Sequence, residues 1–159
     1  ANATVHPGLT DTCSDELDND CDGESSEDET VSTDMEPNDT SSTAIDLGTL
    51  DNTGTTCKTV SGQILGNTDV DYYKFYSIDQ LTDNWSIKGT LTPPSGQTYC
   101  VELIDDTSEV MASACSTGTT QAVAEVVYIP ELATGYYWLR ISSEGGSSCT
   151  SYSLTACGF

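Results

Sequence analysis

The chain has 159 residues, with 26 Asp and Glu against only 4 Lys and Arg, one His, and a formal net charge of -22. So few bases cannot neutralise a run of phosphates or grip an anionic lipid surface, so nucleic-acid binding and polybasic membrane attachment are excluded. No apolar run is long enough to span a bilayer, yet 36% hydrophobic residues, with eight Tyr and two Trp, can fill the core of one domain.

Residues 1–12 (ANATVHPGLTDT) show no period and carry the turn signal Pro7-Gly8, as expected of an extended arm. Residues 13–33 are carboxylate-rich, with no helical stripe. Residues 1–51 as a whole hold 15 of the acids and none of the bases. Such a segment is either solvated disorder or a set of carboxylates placed for cations.

From about Ala44 short segments alternate with period two, separated by Gly, Asn, Asp, Pro and Ser. Strands are predicted at Ala44–Leu50, Cys57–Leu65, Val70–Ile78, Asn84–Thr92, Thr98–Ile104, Glu109–Cys115, Gln121–Ile129, Gly135–Ser142 and Thr150–Ala156. Tyr73 and Phe75 share one face, with Lys74 on the other. Trp85, Ile87 and Leu91 share a face, as do Val123, Val127 and Ile129, and Tyr137, Leu139 and Ile141. Turns fall at Gly66-Asn67, Pro93-Pro94-Ser95-Gly96, Gly118 and Gly145-Gly146. Many short strands at this spacing predict an all-β, antiparallel sandwich or barrel.

Seven cysteines, few lysines and abundant Ser and Thr point to a secreted or surface-exposed protein, where disulfides persist. No signal peptide is visible and the chain opens at Ala1, as expected of a processed product. The sequons Asn2-Ala3-Thr4, Asn38-Asp39-Thr40 and Asn84-Trp85-Ser86 make Asn2, Asn38 and Asn84 candidate glycosylation sites. Cys100 and Cys115 sit symmetrically about Thr107-Ser108, so a hairpin turning there sets them opposite each other. Cys13 and Cys21 suit a local bridge. Cys149 and Cys157 flank one strand, which holds them too far apart to pair. Cys57 is then expected to pair with Cys157 or Cys149, and the odd count leaves one thiol over.

The first chemical constellation is the acidic run DNDCDGESSEDE at residues 18–29. Asp18, Asp20, Asp22, Gly23 and Glu29 satisfy the spacing of a calcium loop, D-x-[DN]-x-[DN]-G-x5-E. Ca²⁺ takes about six to eight hard oxygens. Alternating Asp in a tight turn point at one centre, Gly permits the bend, Glu24 offers its carbonyl, and Glu29 closes the sphere. The flanks lack the amphipathic helices of an EF-hand, and Ser25 stands where that family has an apolar residue. The stretch from Cys13 to Gly23 also resembles a short metal-binding motif of secreted bacterial proteins, of the type Asp-Gly-x-Asp-Asn-Asp-Cys-Asp-Gly. Here Glu16 replaces the first Gly. Some members of that group are described as copper-binding. With His6 the lone His and no Met cluster, hard calcium is favoured over copper, and zinc is disfavoured.

The second constellation runs through the rest of the chain. Asp34-Met-Glu36-Pro-Asn38-Asp39 precedes an Ala-Ile-Asp-Leu segment. Then come Val60-Ser-Gly-Gln-Ile64, Asp69-Val-Asp71-Tyr-Tyr-Lys-Phe75, Gly135-Tyr-Tyr-Trp-Leu-Arg-Ile141 and Ser151-Tyr-Ser-Leu-Thr155. In this order the motifs resemble the bacterial pre-peptidase C-terminal domain over residues 34–156. The resemblance implies a jelly-roll-like β-sandwich, usually attached to secreted hydrolases and itself non-catalytic. It also implies calcium ligands at Glu36, Asn38, Asp39, Asp69 and Asp71. The plainer reading of Asp69, Asp71 and Asn38 is as turn and capping residues. Tyr72, Tyr136 and Trp138 are candidates for a ligand surface, although strand aromatics more often pack against cross-strand neighbours.

Three segments are therefore expected: an arm at 1–12, a disulfide-stapled calcium loop at 13–33, and a sandwich at 34–159. No G-x-S-x-G, H-E-x-x-H or Ser/His/Asp set is present, so no enzyme is expected. One expectation is a calcium-binding extracellular structural or adhesive protein, self-associating into an oligomer or filament by adding the arm to a neighbour's sheet edge. The other is an accessory module of a secreted hydrolase that binds an extracellular polymer or protein.

Overall fold

The computed structural model describes residues 37–51, 56–64, 69–78, 85–116, 120–129, 134–144 and 148–159. Among the described residues nine strands follow one another: β1 (Ile45–Asp51), β2 (Thr56–Ile64), β3 (Val70–Ile78), β4 (Trp85–Thr92), β5 (Tyr99–Ile104), β6 (Val110–Cys115), β7 (Ala122–Ile129), β8 (Gly135–Ser143) and β9 (Ser148–Gly158). Each lies within two residues of the strand that alternation predicts. The protein is an all-β sandwich, with a five-stranded sheet ordered β1-β3-β8-β5-β6 and a four-stranded sheet ordered β2-β9-β4-β7.

Six of the seven pairings are antiparallel, and β1 runs parallel to β3. This departs from a purely antiparallel sandwich. The chain leaves β1, crosses to the other sheet as β2 and returns as β3, so the two neighbours are joined by a crossover instead of a hairpin.

Alternation sorts the side chains of each strand. Tyr73 and Phe75 of β3 are fully buried, while Lys74 between them faces out and pairs with Asp46 at 3.5 Å. Tyr137, Leu139 and Ile141 of β8 line the same inner face beside them. Opposite, Ile87, Leu91, Tyr152 and Leu154 come from β4 and β9.

The two sheets come into tight contact at a row of small residues. Ala156, Gly89 and Ala124 are lateral neighbours across β9, β4 and β7. A methyl built on Gly89 would lie 2.6 Å from Leu139 Cδ2 and 3.5 Å from Val101 Cγ2. Large side chains of one sheet thus fill the space left by small ones of the other, at the density of a close-packed interior. The same row sets the orientation of β7. Ala122 and Ala124 face in, Val126 packs against the core, and Val123 faces out at 38% exposure. Val123, the larger apolar residue between the two alanines, is thus not the inward one.

Among the described residues, two disulfides tie strands together within the sheets. Cys100–Cys115 joins the β5–β6 hairpin across directly opposed residues. Its turn holds Ser108 at φ 68°, and Asp105 Oδ1 accepts bonds from Thr107 N, Thr107 Oγ1 and Glu109 N at 2.8–2.9 Å. Burial pushes the Asp105 carboxyl up, but these donors outweigh it and hold the carboxyl below its ordinary range. Cys57–Cys157 closes a separation of 100 residues between β2 and β9. The register decides against Cys149: Cys57 lies opposite Cys157, whereas Ser148 pairs with Ile64 at the far end of the strand. Cys13 and Cys21 lie outside the described residues.

Candidate functional site

The segment before β1 is anchored to the start of β3, where the Tyr72 amide donates to the Asn38 carbonyl at 3.0 Å. This places Asn38 beside Asp71, and both are fully buried. Asp71 sits on the inward face of β3 because alternation puts it in phase with Tyr73 and Phe75. Burying a carboxylate costs several kcal/mol unless donors or a cation compensate, on the order of the penalties measured for buried ions.

Part of the compensation comes from the opposite sheet. Tyr152 of β9 donates its hydroxyl to Asp71 Oδ2 at 2.5 Å. Its single proton is thereby used, so in the 2.7 Å contact between the two hydroxyls Tyr73 donates to Tyr152. The chain Tyr73–Tyr152–Asp71 is polarised toward the carboxylate, and each bond strengthens the next. Tyr99 packs edge-on to Tyr152, with ring centroids 6.1 Å apart. The Tyr99 hydroxyl is buried with no hydrogen-bond partner among the described residues. Burial, and then the negative charges of Asp71 and Asp69, push its pKa up to about 12.

These residues form one buried, oxygen-rich cluster. Asp71 is its centre, with the hydroxyls of Tyr152 and Tyr73 in line behind it, Tyr99 packed on Tyr152 and close enough to feel the charges of Asp71 and Asp69, and Asn38 held next to this strand by its backbone bond to Tyr72. The set is hard, with no His or thiol, which suits calcium or another hard cation and not a soft one. Of the other residues expected here, Asp39 is exposed and Glu36 lies outside the described residues. Asp18, Asp20, Asp22, Glu24 and Glu29 also lie outside them, as do the sequons at Asn2 and Asn84. A glycan on Asn38 is incompatible with complete burial, so the ligand and glycan readings of that residue exclude each other. Tyr152, Tyr99 and the hydroxyl role of Tyr73 were not predicted. A tyrosine spaced among apolar strand residues looks the same whether its hydroxyl reaches solvent or a buried acid. A further grouping of Cys100, Cys115 and Glu144 offers no metal site, because its sulfurs are joined in the disulfide.

Residues 1–27 match the family model Cu-binding MopE, described as "Putative metal-binding motif". The N-terminal segment thus carries a metal-binding motif. No curated protein matches the chain. Among solved structures, the chain is similar to the pre-peptidase C-terminal domain of a collagenase from Bacillus anthracis, with 15% identity over 73% of this chain and 94% of that one, at a TM-score of 0.47. It is also similar to PliG, a periplasmic inhibitor of g-type lysozyme from Aeromonas hydrophila, with 10% identity over 72% and 99% of the two chains and a TM-score of 0.42. A third similar structure is the carbohydrate-binding module CBM36 in complex with calcium and xylotriose, with 20% identity over 67% and 88% of the chains and a TM-score of 0.32.

Proposed function

We propose that this chain is a non-catalytic, calcium-stabilised extracellular module that presents a rigid β-sandwich for binding or assembly. The observation that carries this reading is the complete burial of Asn38 and Asp71, from two chain segments joined by the Tyr72–Asn38 backbone bond. A cation there ties the segment before β1 to β3 and offsets the buried charge. The metal-binding motif at residues 1–27 and its Asp18–Glu29 spacing support a second hard-cation site in the acidic segment. The two disulfides support an oxidising, extracellular setting.

Calcium that binds only the folded state stabilises it by about 2.7 kcal/mol at a hundredfold excess over Kd. Differential scanning calorimetry of the intact chain, with calcium, with copper and with EDTA, tests this. A melting temperature raised several degrees by calcium, and less in the Asp71→Asn variant, is expected. Equal melting in calcium and EDTA removes the proposal, and a response to copper alone transfers it to a soft metal.

A second reading, a subunit of an extracellular fibre, is favoured by one edge. Of the strands that end the two sheets, β1 carries Asp46, β2 carries Lys58 and β7 carries Glu125, while β6 (VMASAC) carries no charge and leaves Val110 48% exposed. Natural sheets usually guard such edges with charge. Strand addition by residues 1–12 of a neighbour would cover it. Sizing of native material against a chain lacking residues 1–12 tests this; unchanged assembly would dismiss the idea.

A further inference from the structure

The outer face of the five-stranded sheet carries a groove of about 350 Å³ that uses neither the core nor the buried cluster around Asp71. Its floor is two cross-strand rows. One is polar: Tyr72 lies beside Arg140, and Arg140 beside Glu102. The other is apolar: Trp138 lies beside Ile104, and Ile104 beside Val110. Ser41 and Asp106 stand on the walls.

The groove is held ready for a ligand. Trp138 donates its indole N–H to the Ser41 carbonyl at 3.1 Å, so the ring is oriented and its polar edge is already used. What remains is an apolar aromatic face. The aromatic line continues beyond the groove, since Tyr136 is 47% exposed, 6.4 Å from Trp138 and 5.0 Å from Tyr76 between ring centroids. Arg140 Nη1 meets Glu102 Oε2 at 2.8 Å, which cancels the charge on the floor while leaving a planar fork of donors beside a carboxylate acceptor.

The chemistry of the two rows selects the ligand. An anion would face Glu102, Asp106 and a chain of net charge -22. A cation would face Arg140. A purely apolar segment would strip water from the Arg140–Glu102 pair without replacing its hydrogen bonds. A neutral polyhydroxylated ring satisfies both rows, with its C–H face on the Trp138 indole and its hydroxyls between guanidinium and carboxylate. The volume lies at the small end of ligand pockets, and the exposed tyrosines extend the aromatic path. We propose that this groove binds a neutral polysaccharide, seating one or two sugar units against Trp138, Arg140 and Glu102.

The test is isothermal titration calorimetry of the intact chain in calcium with cellohexaose, xylohexaose, mannohexaose and chitohexaose, and with polyproline as the peptide alternative. Saturable binding of at least one hexasaccharide is expected. Trp138→Ala should weaken it tenfold or more and Glu102→Gln severalfold. Trp138→Phe, which keeps an aromatic face, should stay within a few-fold, and Val123→Ala on the opposite sheet should match the native chain. Circular dichroism and melting temperature confirm that each variant is folded. Absence of binding to all four sugars overturns the proposal. So does sugar binding that survives Trp138→Ala in a folded variant, or polyproline binding that depends on Trp138 where the sugars do not bind.

Discussion

Tyr152 of the four-stranded sheet donates its hydroxyl to Asp71 of the five-stranded sheet at 2.5 Å, joining residues 81 positions apart across the middle of the sandwich. The bond makes a buried carboxylate a structural tie between the layers. Tyr152→Phe keeps the ring and removes the donor. A hydrogen bond to a charged group contributes about 1.5–3 kcal/mol, so urea unfolding should show a loss of that order. A loss below about 0.5 kcal/mol would mean that Asp71 draws its compensation elsewhere.

Two core tyrosines should weaken the fold at alkaline pH. Tyr99 and Tyr137 both have pKa values pushed up to about 12, first by burial and then by nearby carboxylates. In the unfolded chain they ionise near 10.0. Between pH 10 and 12 the unfolded state therefore releases protons that the folded state keeps, and stability falls as pH rises. Melting temperatures from pH 9 to 12 should decline through that window, and more shallowly in Tyr137→Phe. A flat profile would contradict the burial of these hydroxyls.

Gly89 leaves no room for a side chain between the sheets. Because Leu139 is itself fully buried, it has little room to yield to an added side chain. Gly89→Ala should cost about 1–3 kcal/mol as overpacking, and Gly89→Val more. Pairing Gly89→Ala with Leu139→Ala should recover part of the loss. Purely additive losses in chemical denaturation would show that the two residues do not compete for the same space.

The disulfides should differ in weight. On loop-closure entropy, the 100-residue span of Cys57–Cys157 is worth about 4–5 kcal/mol, and the 15-residue span of Cys100–Cys115 about 3 kcal/mol. Replacing Cys57 and Cys157 together by Ser should lower the melting temperature more than replacing Cys100 and Cys115. The reverse order would indicate that residual structure in the unfolded chain already holds β2 near β9.

All nine strands were legible in the sequence, because alternation is a local pattern that each strand carries by itself. So was Cys100–Cys115, since a hairpin turning at Thr107-Ser108 pairs its flanks by counting. The sequence leaves Cys57 two possible partners, because register between strands 100 residues apart depends on both sheets being assembled. The inward face of β7 was obscured for a related reason. Val123 is the more apolar choice, but the space opposite Leu139 admits only a small neighbour row, which Ala124 completes beside Gly89 and Ala156.

The excess of 26 acids over 4 bases shows the same division. By itself the sequence determined a sandwich-forming strand pattern, an acidic segment with hard-cation spacing, and a set of candidate ligands. Tertiary structure alone decided which acids are surface and which are core. Asp39 and Asp71 are the same residue type in neighbouring motifs, yet one is exposed and the other has no contact with solvent. Burial is a property of the packed layers and not of the local pattern. It is also what raises the energetic cost of one carboxylate enough to call for a tyrosine donor and, in the proposed function, a cation.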